Sequence, residues 1–167
     1  MSEFVRTLNA IKRHWDSSWL TDSQRECLRE LQSLLVVPRT VNLFGRHGVG
    51  KTFLAWALSR ESAFDYYPNL SLFQVSPTAR HDSVIIDNCA PERNAHRDAL
   101  KALDFRGVRR AVLVTPALIG DYTHYCQLGL TSADLWKVQT NLARIGVHAD
   151  VSHVCSLWSV LNPHLVP

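Results

Sequence analysis

One stretch of the chain combines glycines, a lysine and a threonine at the spacing of a phosphate-binding loop. It matches the pattern G-x-x-x-x-G-K-[ST] at each fixed position, between a predicted strand and a predicted helix. Glycines there let backbone amides approach phosphate oxygens, and those amides form an anion cradle with the helix N-terminus. The residues that we expect to bind a nucleotide are Gly45, Arg46, His47, Gly48, Val49, Gly50, Lys51 and Thr52.

The last two residues of this loop supply a cation and a hydroxyl group. The Lys51 ammonium is a flexible point charge that can reach the β- and γ-phosphates. The Thr52 hydroxyl is a suitable magnesium ligand. No Asn/Thr-Lys-x-Asp motif for guanine recognition occurs in the chain, so we expect the ligand to be ATP with Mg²⁺.

Two further polar residues follow short apolar stretches. Asp87 ends the run Ser-Val-Ile-Ile-Asp, and Thr115 ends Val-Leu-Val-Thr. The carboxyl ends of parallel strands meet at a ligand crevice, where an acid can hold Mg²⁺ through its water shell. We therefore predict Thr52 and Asp87 as the metal-binding pair. Thr115 could contact the γ-phosphate or the attacking water, or it could simply begin the turn before Pro116.

The elements around these residues alternate between apolar strands and helices. This alternation indicates a parallel sheet covered on both faces, and we predict a three-layer α/β/α fold with a mostly parallel sheet. The predicted strands are 40–44, 70–75, 84–86, 111–114 and 147–155. The predicted helices of this domain are 51–60, 92–103 and about 132–144, with a short helix around Trp158 and Leu161 in the tail.

Residues 1–36 are predicted to form a helical extension packed on the domain formed by residues 37–167. Apolar residues at helical spacing predict a helix over 3–15. A second helix begins after Thr21, which forms a capping box with Gln24, and it ends before Pro38. The face that carries Phe4, Val5, Leu8, Ile11 and Trp15 is expected to pack on the core. Trp15 and Trp19 could instead form a surface for a partner.

The composition points to an ordinary globular domain in the cytoplasm. The hydrophobic fraction is 46% and the net charge is +3, and no segment reads as a signal peptide or a membrane span. The cysteines are scattered, which favours reduced thiols; they are Cys27, Cys89, Cys126 and Cys155. The cluster of Arg106, Arg109 and Arg110 is interpreted as ordinary solvated surface. Nucleic acid stays a possible partner, because these arginines could alternatively form a binding patch.

The loop and the two strand-end residues together resemble the P-loop NTPase superfamily over residues 37–155. Their order is similar to the additional-strand branch, which includes AAA+ and RecA-like ATPases and places an extra strand between the loop strand and the acid-bearing strand. The resemblance implies a Walker A loop at residues 45–52, a Walker B acid at Asp87 and a sensor-1 residue at Thr115. The stretch 130–146 resembles the helix before the fifth strand, which puts Arg144 at the arginine-finger position. Alternatively, Arg144 is a helix-end residue favoured by the helix dipole.

Two departures from this family pattern concern hydrolysis. Asn88 stands where AAA+ ATPases usually carry a glutamate, and an amide cannot act as a general base at neutral pH. The residues after Val154 are too few to build a C-terminal lid. The chain therefore resembles a minimal core in which hydrolysis is slow, absent or dependent on another group.

Three functions fit these features. The first is an ATP-dependent switch or motor subunit that acts on a protein or DNA partner, or within a homo-oligomer. The second is a small-molecule or nucleoside kinase, although the predicted strand 70–75 ends in Gln74-Val75-Ser76 without the acid that such kinases usually carry. The third is a nucleotide-binding scaffold without turnover.

Overall fold

An open parallel sheet with helices on both faces is the main feature of the computed structural model, which describes residues 3–14, 16–77, 82–120, 122, 124–148, 151 and 156–157. The strands are β1 (Thr40–Phe44), β2 (Asp65–Tyr67), β3 (Ser83–Ile86), β4 (Arg110–Thr115) and β5 (Tyr125–Gln127). Their spatial order is β2-β3-β4-β1-β5. The helices are α1 (Glu3–His14), a 3₁₀ turn (Ser17–Trp19), α2 (Asp22–Leu34), α3 (Lys51–Glu61), α4 (Leu70–Val75), α5 (Arg93–Phe105) and α6 (Ser132–Ala143).

The predicted α/β fold class is confirmed, and every pairing among the described strands is parallel. Successive side chains of a strand point to opposite faces, and the sheet follows this rule. Val41, Leu43 and Val114 pack with α2 and α3 on one face. Ile86 and Leu113 pack with α4 and α5 on the other. The two faces therefore carry separate apolar cores, as a three-layer arrangement requires.

The helices before β1 share the first of these cores. The α2 residues Leu28 and Leu31 are buried against β1 and α3. Trp19 is only 7% exposed and belongs to the same cluster, so the alternative that it forms a partner surface is wrong. Ile11 packs against this core from α1. Trp15 and the side chains of Phe4, Val5 and Leu8 lie outside the described part of the chain.

The predicted strand over residues 70–75 is wrong, because that segment is helix α4. Asn69 caps the helix by accepting a hydrogen bond from the Leu72 amide at 2.8 Å. A short apolar run cannot be assigned to strand or helix by periodicity alone, and here the cap and the burial of Phe73 on one face decide the outcome. The second strand is β2, a half-buried edge strand that begins at Asp65 and that apolar patterning did not reveal.

The strand on the other side of β1 comes from a segment that the sequence analysis does not predict as a strand. The strand that pairs with β1 on this side is β5, with Asn42 opposite Tyr125 and Phe44 opposite Gln127. It precedes α6, whereas we had predicted a strand over 147–155 after that helix. Residues 147, 148 and 151 are not in a strand. The rest of that segment and the predicted tail helix around Trp158 and Leu161 lie outside the described residues.

Cys27 on α2 and Cys126 on β5 lie side by side, with their Cα atoms 6.4 Å apart. They are 99 positions apart in sequence and meet only after folding, and the expectation that their thiols are reduced stays a prediction. Cys89 is a free, buried cysteine, and Cys155 lies outside the described residues. Across the described part of the chain, no helix has both the length and the apolarity to span a bilayer. A cytoplasmic location stays a prediction.

Helix α6 is tied to α2 by one carboxylate. Thr131 caps α6 in a capping box with Asp134, just as Thr21 caps α2 with Gln24, as predicted. Asp134 also accepts hydrogen bonds from the amide and hydroxyl of Ser23, at 3.2 and 2.7 Å. Burial raises the pKa of Asp134, but the hydrogen bonds from Ser23 and Thr131 outweigh it and leave the pKa below its ordinary value.

Replacing Asp134 with asparagine should destabilise the fold in a pH-dependent way. Because the folded-state pKa is depressed, the stabilisation is complete above the ordinary aspartate pKa and is lost as the pH falls through the lowered value. We expect a loss of about 2 kcal/mol at pH 7, typical of hydrogen bonds to a charged group, and a smaller loss below about pH 4. Urea unfolding of the wild type and the variant at pH 7 and below about pH 4 measures the two losses of unfolding free energy. The exposed Asp98→Asn is the control, and an equal loss at both pH values would contradict the argument.

Candidate functional site

The predicted loop lies where strand, loop and helix meet at the carboxyl edge of the sheet. It leaves β1 after Phe44 and enters α3 at Lys51. Gly48 and Gly50 have φ angles of 79° and 92°, in the left-handed region that favours glycine. Gly50 is the N-cap of α3. The loop geometry therefore depends on glycines that the sequence motif supplies.

Gly45 is required for a different reason, which is close approach to a neighbouring chain segment. A Cβ atom at Gly45 would collide with the backbone carbonyl oxygen of Leu128, just after β5. That carbonyl belongs to a residue whose amide is bonded to the Phe44 carbonyl at 2.8 Å, so it cannot move without disturbing the sheet. A side chain at Gly45 is thus excluded by the backbone of Leu128, just after β5.

Gly45→Ala should therefore lower stability even without any ligand. Forcing a methyl group into a packed site costs about 1–3 kcal/mol, and we expect a loss of unfolding free energy in that range. Chemical denaturation measures it. Gly129→Ala is the matched control, because no described atom lies within 4 Å of a Cβ built there. Equal stability of the two variants would contradict the close approach.

Lys51 lies inside the curve of the loop. Its Nζ donates hydrogen bonds to the carbonyls of Gly45 and Arg46, at 2.6 and 2.9 Å. Burial lowers the pKa of this ammonium group, and the charge of Asp87 opposes the shift. The loop therefore holds a partly desolvated cation at its centre, next to the backbone amides that would face an anion.

The structure brings the predicted metal-binding pair together. The Thr52 hydroxyl donates to Oδ2 of Asp87 at 2.7 Å. Asp87 follows β3 and is only 2% exposed, while its Oδ1 accepts from the Asn88 amide at 2.8 Å. A hydroxyl and a carboxylate are the kind of oxygen ligands that Mg²⁺ uses, and here they are in contact beside the glycine loop.

Tyr66 is a site residue that the sequence reasoning missed. Its phenol donates to the same Asp87 oxygen, Oδ2, at 2.8 Å. Burial, with the nearby Asp87 charge, raises the pKa of Tyr66 well above its ordinary value, so the phenol remains a donor. Tyr66 lies in β2, the strand that we failed to predict, and its parallel pairing with Ile85 brings it beside the acid.

Thr115 reaches the same edge, but its hydroxyl is already engaged. It donates to the Ala117 carbonyl at 2.7 Å and accepts from Nδ2 of Asn42 at 2.8 Å. Asn42 is fully buried in the middle of β1 and also binds the Ile119 amide through Oδ1 at 3.0 Å. This polar residue in an otherwise apolar strand shapes the turn after β4. The polar Asn42 within the run Thr-Val-Asn-Leu-Phe was the feature of the sequence that could have indicated this buried hydrogen-bond network.

Arg144 is separated from these residues. It is the C-cap of α6, is exposed, and donates from Nη1 to the Ser18 hydroxyl at 3.4 Å. It does not belong to the lining of the cavity described below. Helix α6 follows β5, most of the chain after α6 lies outside the described residues, and the arginine-finger position of Arg144 stays a prediction. The helix-end interpretation matches its observed place.

The residues after Asp87 differ in their surroundings. Asn88 is exposed, has a φ angle of 49° and donates from Nδ2 to the Pro68 carbonyl at 3.0 Å. Cys89 is buried, and burial raises its pKa to about 12, so it behaves as a small apolar residue. Asp87 is the only carboxylate among the described residues that line the cavity.

A cavity of about 650 Å³ is lined both by these polar groups and by apolar side chains. Its polar lining includes the loop residues His47, Gly48, Gly50, Lys51 and Thr52, together with Asp87, Asn88 and Thr115. Its apolar lining includes Ile11, Trp19, Phe53, Trp56, Val138 and Leu142. Small-molecule sites typically measure about 300–1,000 Å³, so the cavity has room for a ligand that carries both charged and apolar groups.

Comparison with known proteins adds no family assignment. No protein-family model matches the chain, and no curated protein matches it significantly. The parallel five-stranded α/β sheet is consistent with a P-loop NTPase fold, and the functional argument depends on the site itself.

Proposed function

We propose that this chain binds ATP with Mg²⁺ in the cavity and acts as an AAA+-like nucleotide switch on a protein or DNA partner, with slow hydrolysis. The contact that carries the proposal is the 2.7 Å hydrogen bond between Thr52 and Asp87, beside the Lys51 ammonium. A cation, a hydroxyl and a carboxylate converge there from a glycine loop and a neighbouring strand end. Phosphate and Mg²⁺ together match this set of groups.

The strand order supports the same branch of the superfamily. β4 lies between β1, which leads into the loop, and β3, which leads to Asp87. An extra strand in this place is what the resemblance to the additional-strand branch implies. The register sets Thr115 beside Phe44 and Leu113 beside Ile86, so the three strand ends open on one edge.

Slow turnover follows from the groups around the reaction centre. Asp87 would be occupied by Mg²⁺, and Asn88 offers an amide that cannot accept a proton at neutral pH. ATP binding alone could therefore drive the switch. Contacts to the γ-phosphate can bias mobile elements of a protein without rapid hydrolysis. The same observation favours a second candidate, a scaffold that binds ATP without hydrolysing it.

The kinase alternative lacks a comparable observation. The second strand ends at Tyr67 and not at Val75. The acid that activates the acceptor in such kinases would therefore be expected directly after Tyr67. The residues that follow Tyr67 are Pro68 and Asn69, and neither is an acid. A kinase of this superfamily would usually activate its acceptor from that place.

Calorimetric titration with MgATP tests binding, and single-turnover hydrolysis with and without DNA tests the switch. We expect saturable binding with one ATP per chain, weaker binding without Mg²⁺, and slow hydrolysis. Absence of binding would refute the proposed function. Tight binding without hydrolysis under either condition would select the scaffold over the switch.

A further inference from the structure

We propose that the solvent-facing side of helix α5 binds single-stranded DNA, with two cations for the phosphates and one aromatic ring for a base. Three residues form this surface, which we call the α5 ridge: Arg97, Lys101 and Phe105. The inference gives the partner of the proposed switch a chemical class and rests on the proposed function for that role. Binding of DNA to the ridge itself can be measured without ATP.

The residues of the α5 ridge are four positions apart on the exposed side of the helix. Side chains at this spacing form a continuous row, with a rise of about 6 Å from one to the next. Arg97 and Lys101 are exposed, while Ala99 and Leu103 on the opposite side of α5 are buried in the core. The packing of α5 on the sheet therefore turns the ridge towards solvent.

The two cations of the α5 ridge have no carboxylate partner. Arg97 donates from Nη2 to Oδ1 of Asn94 at 3.2 Å, and neither Arg97 nor Lys101 forms an ion pair within the described residues. The exposed carboxylates of the helix, Asp98 and Asp104, lie off this row. Cations that no carboxylate neutralises are available to phosphate groups.

The arginines that follow α5 differ in this respect. Arg106 donates to two backbone carbonyls at the C-terminal end of α4, at 2.6 and 2.8 Å, and so joins α5 to α4. Arg109 and Arg110 lie 3.9 and 3.6 Å from the carboxylate of Asp82. The arginines that cluster in the sequence are thus engaged with the protein, whereas the cations of the ridge point to an external anion.

Phe105 is the aromatic part of the surface. It is 91% exposed at the last position of α5, one turn beyond Lys101. An exposed ring adds nothing to the core, whereas stacking on a base covers one of its faces. Because the bases of a duplex already stack on one another, this contact requires a single strand. The ring and the cations together therefore favour single-stranded DNA over a duplex.

Fluorescence anisotropy of a labelled oligothymidine of about 16 nucleotides tests the α5 ridge. We expect saturable binding by the wild type that weakens as the salt concentration rises, because phosphate contacts release counterions. The double variant Arg97→Ala/Lys101→Ala should bind about tenfold more weakly. Its plot of log affinity against log salt should also be shallower by about 1.4, which corresponds to two phosphate contacts at about 0.7 each.

Phe105→Ala separates stacking from charge. It should weaken binding by about tenfold through the lost base contact, with the wild-type salt dependence, because no charge is removed. The matched control for the cations is Arg25→Ala/Arg29→Ala, which removes the same charge from α2 on the other face of the sheet. This control should keep both the affinity and the salt dependence of the wild type.

Three results would overturn the inference and leave the proposed ATP site intact. The first is no binding of oligothymidine by the wild type. The second is equal affinity in the wild type and Arg97→Ala/Lys101→Ala. The third is tighter binding of duplex DNA, oligouridine or polyglutamate in parallel titrations, which would assign the surface to another partner. Failure of the wild type to bind MgATP would refute the proposed function alone, because the DNA titrations contain no ATP.

Discussion

Lys51→Ala should weaken MgATP binding about a hundredfold. The ammonium lies at the centre of the loop, partly buried and bonded to the Gly45 and Arg46 carbonyls, where it can turn to face phosphate oxygens. Hydrogen bonds to charged groups contribute about 1.5–3 kcal/mol, and each 1.4 kcal/mol is about tenfold in affinity. Isothermal calorimetry of the wild type and the variant measures the effect directly.

Lys101→Ala is the control for Lys51→Ala. Lys101 is exposed on α5, so its removal changes the net charge by the same amount without touching the loop. Thermal unfolding of both variants shows whether loop damage contributes. Unchanged ATP affinity in Lys51→Ala would exclude the loop as the phosphate site.

Asp87→Asn should remove the dependence of ATP binding on Mg²⁺. The carboxylate is the negative group of the proposed metal site, and Mg²⁺ strongly prefers it to a neutral amide. We expect the gain in ATP affinity on adding Mg²⁺ to fall by roughly tenfold or more, as the loss of a charged contact implies. ATP titrations across a series of Mg²⁺ concentrations measure this gain.

Tyr66→Phe is the matched control for this second variant. It removes one hydrogen bond to Oδ2 of Asp87 but keeps the carboxylate and its contact with Thr52. The Mg²⁺ effect should therefore persist in Tyr66→Phe and disappear in Asp87→Asn. A full Mg²⁺ effect in Asp87→Asn would remove this acid from the metal site.

The two variants test different links between structure and function. Lys51 is placed by the local path of the loop, within seven residues of Gly45. Asp87 reaches Thr52 only because β3 lies two strands away from β1 in the sheet. A loss in the first variant alone would indicate phosphate binding without the proposed metal site.

Local patterns predicted the parts of the fold that depend on neighbours in sequence. The strand–loop–helix unit around the glycines, the cap at Thr21, and the apolar strands β3 and β4 agree with the structure. Each relies on interactions within a few residues, such as a hydroxyl bonded to an amide three positions ahead. Patterns failed at 70–75, where an apolar run is compatible with strand and helix alike.

The sequence by itself determined the glycine loop between β1 and α3, the acid at the end of β3 and the fold class, because each follows from spacing or periodicity along the chain. Only the tertiary structure decided that Tyr66 contacts Asp87, that Arg144 lies elsewhere, and that Asn141 joins the loop in one cavity. Those relations depend on strand order and helix packing between distant segments. The loop predicts that a phosphate binds, whereas the packing of α6 against the N-terminal helices adds apolar residues to the wall of the same cavity.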